Sequence, residues 1–452
     1  MNVYQYIFIL NFCLLISCFK IKFPNFLSSF HNKNIQTCKS NINKINGFYG
    51  LVGPNVDISK TNTLFQLFTG DGIIQGVFLE NGNITQVNHI IQTEKIKYEK
   101  KHGKFTDNMM ILPWYMFLNK IGMLPNVMGL ANTAFMKVKK KIFVLFERDL
   151  PYEISLDFKE KTIETVKKIN IHSVDHFSAH STLDGKKHIV YSLEYNVLKN
   201  VVTLFHTNED LGLLKKIDVS THYIPIIHDS YVLSDSTIFT DSPFYFSFSA
   251  LLKGKIPVIF NPKKPTYIHE ICRKTGNKTT YVSEKSFYIF HYATMKESAS
   301  YIEIYAPIYD SVDFSKLDIA GKYRRLILDK KTRTIKMEKN PELEKYNLDF
   351  PMKWRDSYIL RNIENNRING FIICDGLKIK NKIFLQDLSI CGEPKIYDSG
   401  VFSRIMCLGY DSENRGYFVL IDPENGDVYK FPLQENVKIG FHSIYTSEEL
   451  KK

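Results

Sequence analysis

The chain has 452 residues, 44% hydrophobic and 13% aromatic, and its 59 Lys+Arg against 47 Asp+Glu give a net charge of +12. So much apolar material excludes a disordered or collagen-like chain. The length suits two or three ordinary domains, or one large β-propeller built from blades of about 40–50 residues. Thirty-three Phe and 26 Tyr against 23 Gly and 16 Pro favour strands over helical bundles.

The first acidic residue is Asp57. Before it, Tyr6 to Phe19 form an apolar run too short to span a bilayer, which takes about 20 residues. The run suits the core of a signal peptide, although no basic residue precedes it. Lys20, Lys22, Lys33, Lys39 and Lys44 follow among Ser and Asn, a composition similar to a plastid transit segment placed behind a signal peptide. The expectation is a leader over 1–46 and a single domain over 47–452. Such a chain enters the secretory pathway and continues to a plastid of the apicoplast type, with peripheral membrane association. Residence in the secretory lumen and a membrane anchor are the alternatives. Without the five leader lysines the body carries +7, and no nucleic-acid partner is expected.

Beyond the leader, apolar runs end repeatedly in turn chemistry. Glu80-Asn81-Gly82-Asn83, Asp184-Gly185 and Asn425-Gly426 each divide two strand-like segments, and such pairs tolerate the positive φ of tight hairpins. A weak repeat accompanies them. Leu156-Asp157, Leu328-Asp329 and Ile421-Asp422 each precede, six residues after the Asp, a β-branched aliphatic: Ile163, Ile335 and Val428. A recurring strand–turn–strand unit suits propeller blades, and ordinary hairpin chemistry gives the same pattern.

Residues 108–129 break it. Met109, Met110, Ile111, Leu112, Trp114, Tyr115, Met116, Phe117 and Leu118 are interrupted by Pro113, with Gly122 and Pro125 beyond, and Lys120 is the one charge. Prolines exclude a transmembrane helix; soft apolar side chains suit a membrane-facing patch or the mouth of an apolar tunnel. A plain buried insertion is the alternative. Cys272, Cys374, Cys391 and Cys407 show no Cys-x-x-Cys spacing, so they read as buried thiols and not as a zinc site.

Among 13 histidines, His172, His176 and His180 would share a helix face, but their surroundings are strand-like and would spread them apart. His180, His228, His291 and His442 have a common context, each at or near the end of an apolar run. If each lay on the innermost strand of its own blade, the four could converge on a propeller axis.

The order of these segments resembles the carotenoid cleavage oxygenases, a family that includes a retinoid isomerase. The resemblance rests on Gly53-Pro54-Asn55, Phe68-Thr69-Gly70-Asp71-Gly72, Asn132-Thr133, Leu145-Phe146-Glu147, Leu150-Pro151-Tyr152-Glu153, the four His contexts, Phe350-Pro351 and Gly392-Glu393-Pro394. It implies an all-β fold, a seven-bladed β-propeller with a helical and loop cap over an iron-bearing face. It also implies Fe(II) on His180, His228, His291 and His442, an imidazole set that leaves coordination positions open. Glu147, Asp349 and Glu393 are then the acceptors that orient His228, His291 and His442. Asp349 stands where the family usually has Glu, which puts its bond to His291 in doubt. The implied reaction is oxidative cleavage of a conjugated double bond in a lipophilic polyene by O2, with residues 108–129 at the membrane surface. A non-oxidative isomerase or hydrolase of retinoid type and a non-catalytic lipid-binding propeller are the alternatives.

Overall fold

The computed structural model describes residues 30–35, 41–57, 61–102, 121, 129–196, 199–247, 249–250, 253, 255–317 and 319–447. Most of residues 108–129, including all nine apolar residues singled out above, lie outside the described residues. So do residues 1–29 of the leader.

The described chain is nearly all β. Its hairpins follow from the turns read in the sequence: Gly72–Glu80 pairs Asn83–Ile90 around Asn81 and Gly82, both at positive φ. In the repeat, Leu156 lies opposite Ile163, Leu328 opposite Ile335 and Ile421 opposite Val428. The preceding Asp explains the spacing. Oδ1 of Asp157 accepts the N–H groups of Lys159 and Glu160, and Asp329 does the same for Lys331 and Thr332. Asp422 holds Glu424 and Asn425. One carboxylate thus supplies the two acceptors that the turn backbone otherwise lacks.

These hairpins build open sheets of mostly four strands, held by local antiparallel pairing. One sheet runs Ala134–Val138 to Thr162–Lys168, the next Thr182–Asp184 to Leu213–Ser220, and the third Ser230–Val232 to Lys278–Ser283. A fourth runs from Thr294–Glu297 to Ile335–Glu338. A nine-stranded sheet contains two further sets, Leu348–Trp354 to Lys378–Phe384 and Lys395–Asp398 to Val428–Pro432, bridged by Ser389–Ile390. In the remaining sheet the last strand, Ser443–Thr446, pairs with Gly47–Pro54 near the start of the chain. Both ends of the body therefore meet in one sheet.

Burial follows strand position. Ile189–Tyr195, central in its sheet, is buried along most of its length, whereas the outer strand Leu213–Ser220 alternates and carries Lys215 and Lys216 on its exposed edge region. Lysines on an edge strand oppose pairing with another chain. Residues ahead of 47 also take part in the packing. Ile42 and Ile45 are fully buried in the cluster with Tyr49, Leu51 and Phe418, and Phe30–Ile35 pairs with Asn83–Ile90. A domain starting at 47 would lose two core side chains. Among the described residues no helix is long and apolar enough to cross a membrane.

Three glycines mark where backbones touch. The segment 439–442 lies between Gly47–Pro54 and residues 391–393: Phe441 N–H donates to Val52 O at 2.7 Å, and Gly440 N–H to Cys391 O at 2.7 Å. A Cβ on Gly53 would stand 2.4 Å from Gly440 Cα, and one on Gly392 2.7 Å from Gly440 O. Gly53→Ala is expected to destabilise the protein by about 1–3 kcal/mol, the usual cost of overpacking against rigid backbone. Gly185→Ala, with nothing within 4 Å of the new Cβ, should stay within about 0.5 kcal/mol of wild type. Urea unfolding of the two variants side by side checks both.

Candidate metal centre

The four histidines come together, but not from within strands. His180 precedes Thr182–Asp184, His228 precedes Ser230–Val232, His291 precedes Thr294–Glu297 and His442 precedes Ser443–Thr446. Each of those is the edge strand of its sheet. The expectation of placement on the strand is corrected by one to three residues in every case. The reason is geometric: a residue inside a strand points perpendicular to the sheet, whereas a residue just before it is free to turn inward past the edge.

Nε2 of His228 lies 2.9 Å from Nε2 of His180 and 3.3 Å from that of His291, which is 3.3 Å from that of His442. All four ligand atoms fall within 4.8 Å of one another. His172 and His176 take no part in that group.

Three of the rings are held from behind. His228 Nδ1–H donates to Glu147 Oε1, whose other oxygen accepts the Tyr195 hydroxyl at 3.1 Å. His291 Nδ1–H donates to Asp349 Oδ1 at 2.8 Å, and Tyr309 donates to Asp349 Oδ2 at 2.6 Å. Glu393 Oε1 stands 3.6 Å from His442 Nδ1, while its Oε2 accepts from Ser443 N–H at 2.8 Å and from Lys395 at 3.2 Å. Glu147 lies between strands Lys141–Leu145 and Tyr152–Asp157, Asp349 begins Leu348–Trp354, and Glu393 precedes Lys395–Asp398. These are the three strand sets that supply no histidine.

The shorter Asp349 does reach its ring. The pairing with Ser357–Glu364 is irregular between Asp349 and Met352, and Phe350 takes a left-handed φ of 53°. That local distortion, uncommon for a bulky residue, lies directly beside the carboxylate that meets His291. Arg361, half-buried and opposite Asp349, lies over the Phe350 ring at 3.6 Å.

With Nδ1–H committed to a carboxylate, Nε2 of His228 and His291 presents a lone pair to the centre. The facing lone pairs of His228 and His291, 3.3 Å apart with no donor between them, repel. Adjacent separations of that size are the edges of a coordination shell with metal–nitrogen bonds of about 2.0–2.1 Å. The residues present therefore fit a metal ion.

An aromatic wall, which no spacing in the sequence revealed, flanks the cluster. Phe290 stands 5.5 Å from His228, and Phe350 4.5 Å from His291 and 4.7 Å from His442. Phe290 continues through Tyr288 and Tyr309 to Phe244 and Phe314, and from there to Phe68 and Phe441. The covering elements are the short helix Leu64–Leu67, the hairpin Phe244–Phe246 with Val258–Phe260, and the segment around Phe314 and Ile319. The described part of the cap is thus mostly loop and hairpin.

Burial, reinforced by the neighbouring imidazoles, holds His180 well below the ordinary imidazole range. His442 is pushed down to about 4 by burial, against the pull of Glu393. Burial also disfavours charge on His228, but Glu147 outweighs it and the net direction is upward. Between pH 4 and 6.5 an unfolded metal-free chain therefore binds protons that His180 and His442 refuse in the fold. Through that window the His442 contribution falls by about 3 kcal/mol as pH drops. His206, also pushed down to about 4 by burial, adds to the fall, and Asp229, pushed up to about 6 by burial, opposes it. The net slope is therefore downward but smaller than the histidines alone would give, and above 6.5 His228 contributes with the opposite sign. Urea midpoints of the metal-free protein at pH 7, 6 and 5 check the slope.

The family model described as retinal pigment epithelial membrane protein matches residues 43–370. Carotenoid 9,10(9',10')-cleavage dioxygenase 1 of Pisum sativum is 24% identical over 294 residues, 61% of this chain and 53% of that protein. The carotenoid 9,10(9',10')-cleavage dioxygenase of Crocus sativus is 22% identical over 399 residues, 82% of this chain and 72% of that one. The match to the pea protein thus spans about half of its length. Lignostilbene dioxygenase of Pseudomonas brassicacearum superposes with a TM-score of 0.75 at 15% identity, covering 94% of this chain and 96% of that one. Cobalt-substituted apocarotenoid oxygenase of Synechocystis gives 0.75 at 16%, covering 94% and 97%. Likeness at that identity is one of fold, a β-propeller. On the extent of the family-model match and the four histidines it was expected to bring together, the chain belongs to the carotenoid cleavage oxygenase family.

Proposed function

We propose that the chain is a non-haem Fe(II) oxygenase that cleaves a conjugated carbon–carbon double bond of a carotenoid or apocarotenoid. The observation that carries this reading is the convergence of four imidazole Nε2 atoms beside a continuous aromatic wall. In this reading the seven strand sets are the blades of a seven-bladed propeller, and His180, His228, His291 and His442 hold the iron. Bound ferrous iron supplies the activation of dioxygen that carbon and a singlet polyene cannot achieve alone.

The protein's own residues do the rest. Glu147, Asp349 and Glu393 fix the tautomers and ring orientations, so the lone pairs point inward before any metal arrives. Phe290 and Phe350 flank the cluster, and the wall through Phe314, Phe68 and Phe441 offers an apolar, water-excluding bed for a long polyene. Flat conjugated chains pack on aromatic faces with little entropy to lose. The net reaction breaks one C=C bond, consumes one O2 and forms two C=O bonds. Residues 108–129 serve as the membrane-facing entrance, and the acid-free N-terminal segment directs the chain to a plastid.

The test is oxygen uptake by the purified, iron-loaded chain with a detergent-dispersed carotenoid or apocarotenal, with products weighed by mass spectrometry. Aldehyde pairs formed with oxygen uptake, both abolished by His228→Ala, are expected. Geometric isomerisation without oxygen uptake would overturn cleavage. A second measurement addresses Asp349. Asp349→Asn keeps the size but loses the charge that orients His291, and should weaken iron retention by about 10–100-fold, read as iron released to a competing chelator.

A further inference from the structure

A second group of metal-ligating side chains lies apart from the four histidines. His222, Asp241 and His269 bring their ligand atoms within 4.8 Å of one another. Asp241 ends strand Ser236–Asp241, and His269 lies diagonally across from it on Thr266–Cys272. His222 comes from the segment between Leu213–Ser220 and Ser230–Val232. Its Nδ1 is 3.1 Å from Asp241 Oδ2, and Nε2 of His269 is 3.2 Å from the same oxygen. Both separations match the roughly 3.3 Å edge of a tetrahedron with metal–ligand bonds of about 2.0–2.1 Å.

The carboxylate is poorly compensated as it stands. Asp241 is 1% exposed, and among the described residues its ion-pair partners are the two imidazoles, with no Lys or Arg. The backbone N–H of His222 donates to Oδ2 at 2.6 Å, so these three contacts all fall on one oxygen. Oδ1 is buried without a hydrogen-bond partner, as is Oγ of the adjacent Ser242. A buried carboxylate oxygen left without a partner calls for an ion or a water. The surroundings also supply what a ligating histidine needs: Thr280 Oγ1 is 3.0 Å from Nδ1 of His269 and can accept its proton, leaving Nε2 free. His222 stacks on Tyr267 with centroids 3.5 Å apart and planes 9° from parallel, so its ring is already ordered. Its side chain is 39% exposed and gives a cation a way in from solvent.

We propose that His222, Asp241 and His269 form a second metal site, for a divalent transition cation of the zinc class, with water completing the shell. Two nitrogens and one carboxylate oxygen are a set such a cation accepts. The site would pin the segment carrying His222 to the sheet behind it. That same segment carries His228 six residues later, so the second ion would brace one wall of the first centre without touching it.

The experiment uses the full chain, loaded anaerobically with Fe(II) and then dialysed against micromolar zinc, beside His222→Ala and His222→Phe. The second variant keeps the ring that stacks on Tyr267 and removes the nitrogen, so lost binding is separated from lost packing. Elemental analysis should find one zinc per chain more in wild type than in either variant, with iron content unchanged among the three. Because the reading is a difference, it holds even if the four-histidine centre takes no iron. Equal zinc in wild type and variants would overturn the proposal and leave an ordinary hydrogen-bonded His–Asp–His cluster.

Discussion

Four imidazoles can meet nitrogen to nitrogen inside a protein only when something outside the group decides which nitrogen of each ring carries the proton. Here that decision falls to carboxylates for His228 and His291, with Glu393 3.6 Å from Nδ1 of His442. The carboxylates are in turn held: Glu147 by Tyr195, Asp349 by Tyr309, Glu393 by Ser443 and Lys395. Burial works in the same direction by opposing protonation of His180 and His442. Among the described residues no carboxylate backs His180, and it is the ring whose affinity for protons is most purely a matter of burial and neighbours. The centre is therefore asymmetric, with three rings oriented by charge and one by packing.

That arrangement explains why the fold needs many separate sheets around one point. Four strand sets supply a histidine just ahead of an edge strand, and the other three supply Glu147, Asp349 and Glu393. A ring of like units solves the problem because every unit can present one residue at the same radius. The solution is strict about backbone approach. His442 and Glu393 are positioned by a segment wedged between two others, with Gly53, Gly392 and Gly440 at the contacts. A methyl group there would push the ligand strand away from its own carboxylate.

Much of this was legible in the sequence, for reasons that differ from part to part. Hairpin positions were readable because Asp157, Asp329 and Asp422 each satisfy a turn through a local hydrogen bond that fixes the spacing. The histidines were readable only as a set, through the order of motifs around them; nothing local distinguishes His291 from buried His269. The burial of Ile42 and Ile45 was not legible because they sit in a Lys- and Asn-rich tract whose composition resembles a leader. The aromatic wall was invisible because Phe68, Phe290, Phe314 and Phe441 come from four distant segments. Among 33 phenylalanines no period marks those four. His222 and Asp241 share that difficulty, since their proximity is a product of sheet register.

Asp349 shows how a departure from a family pattern can be absorbed. Shortening a carboxylate by one methylene withdraws its oxygens by more than a hydrogen bond can stretch, so either the contact is lost or the backbone must move. In this chain Asp349 keeps the contact at 2.8 Å, beside an irregular strand pairing and a left-handed Phe350. Such a conformation costs of order 1–3 kcal/mol and persists only where its surroundings enforce it. Three contacts do so: Asp349 Oδ1 accepts the Phe350 N–H at 2.7 Å, Tyr309 holds the other oxygen, and Arg361 covers the ring. The same distortion sets Phe350 against His291 and His442. One strained residue thus serves both the orientation of His291 and the apolar wall beside it, which ties the shape of that wall to the geometry of the four-histidine cluster.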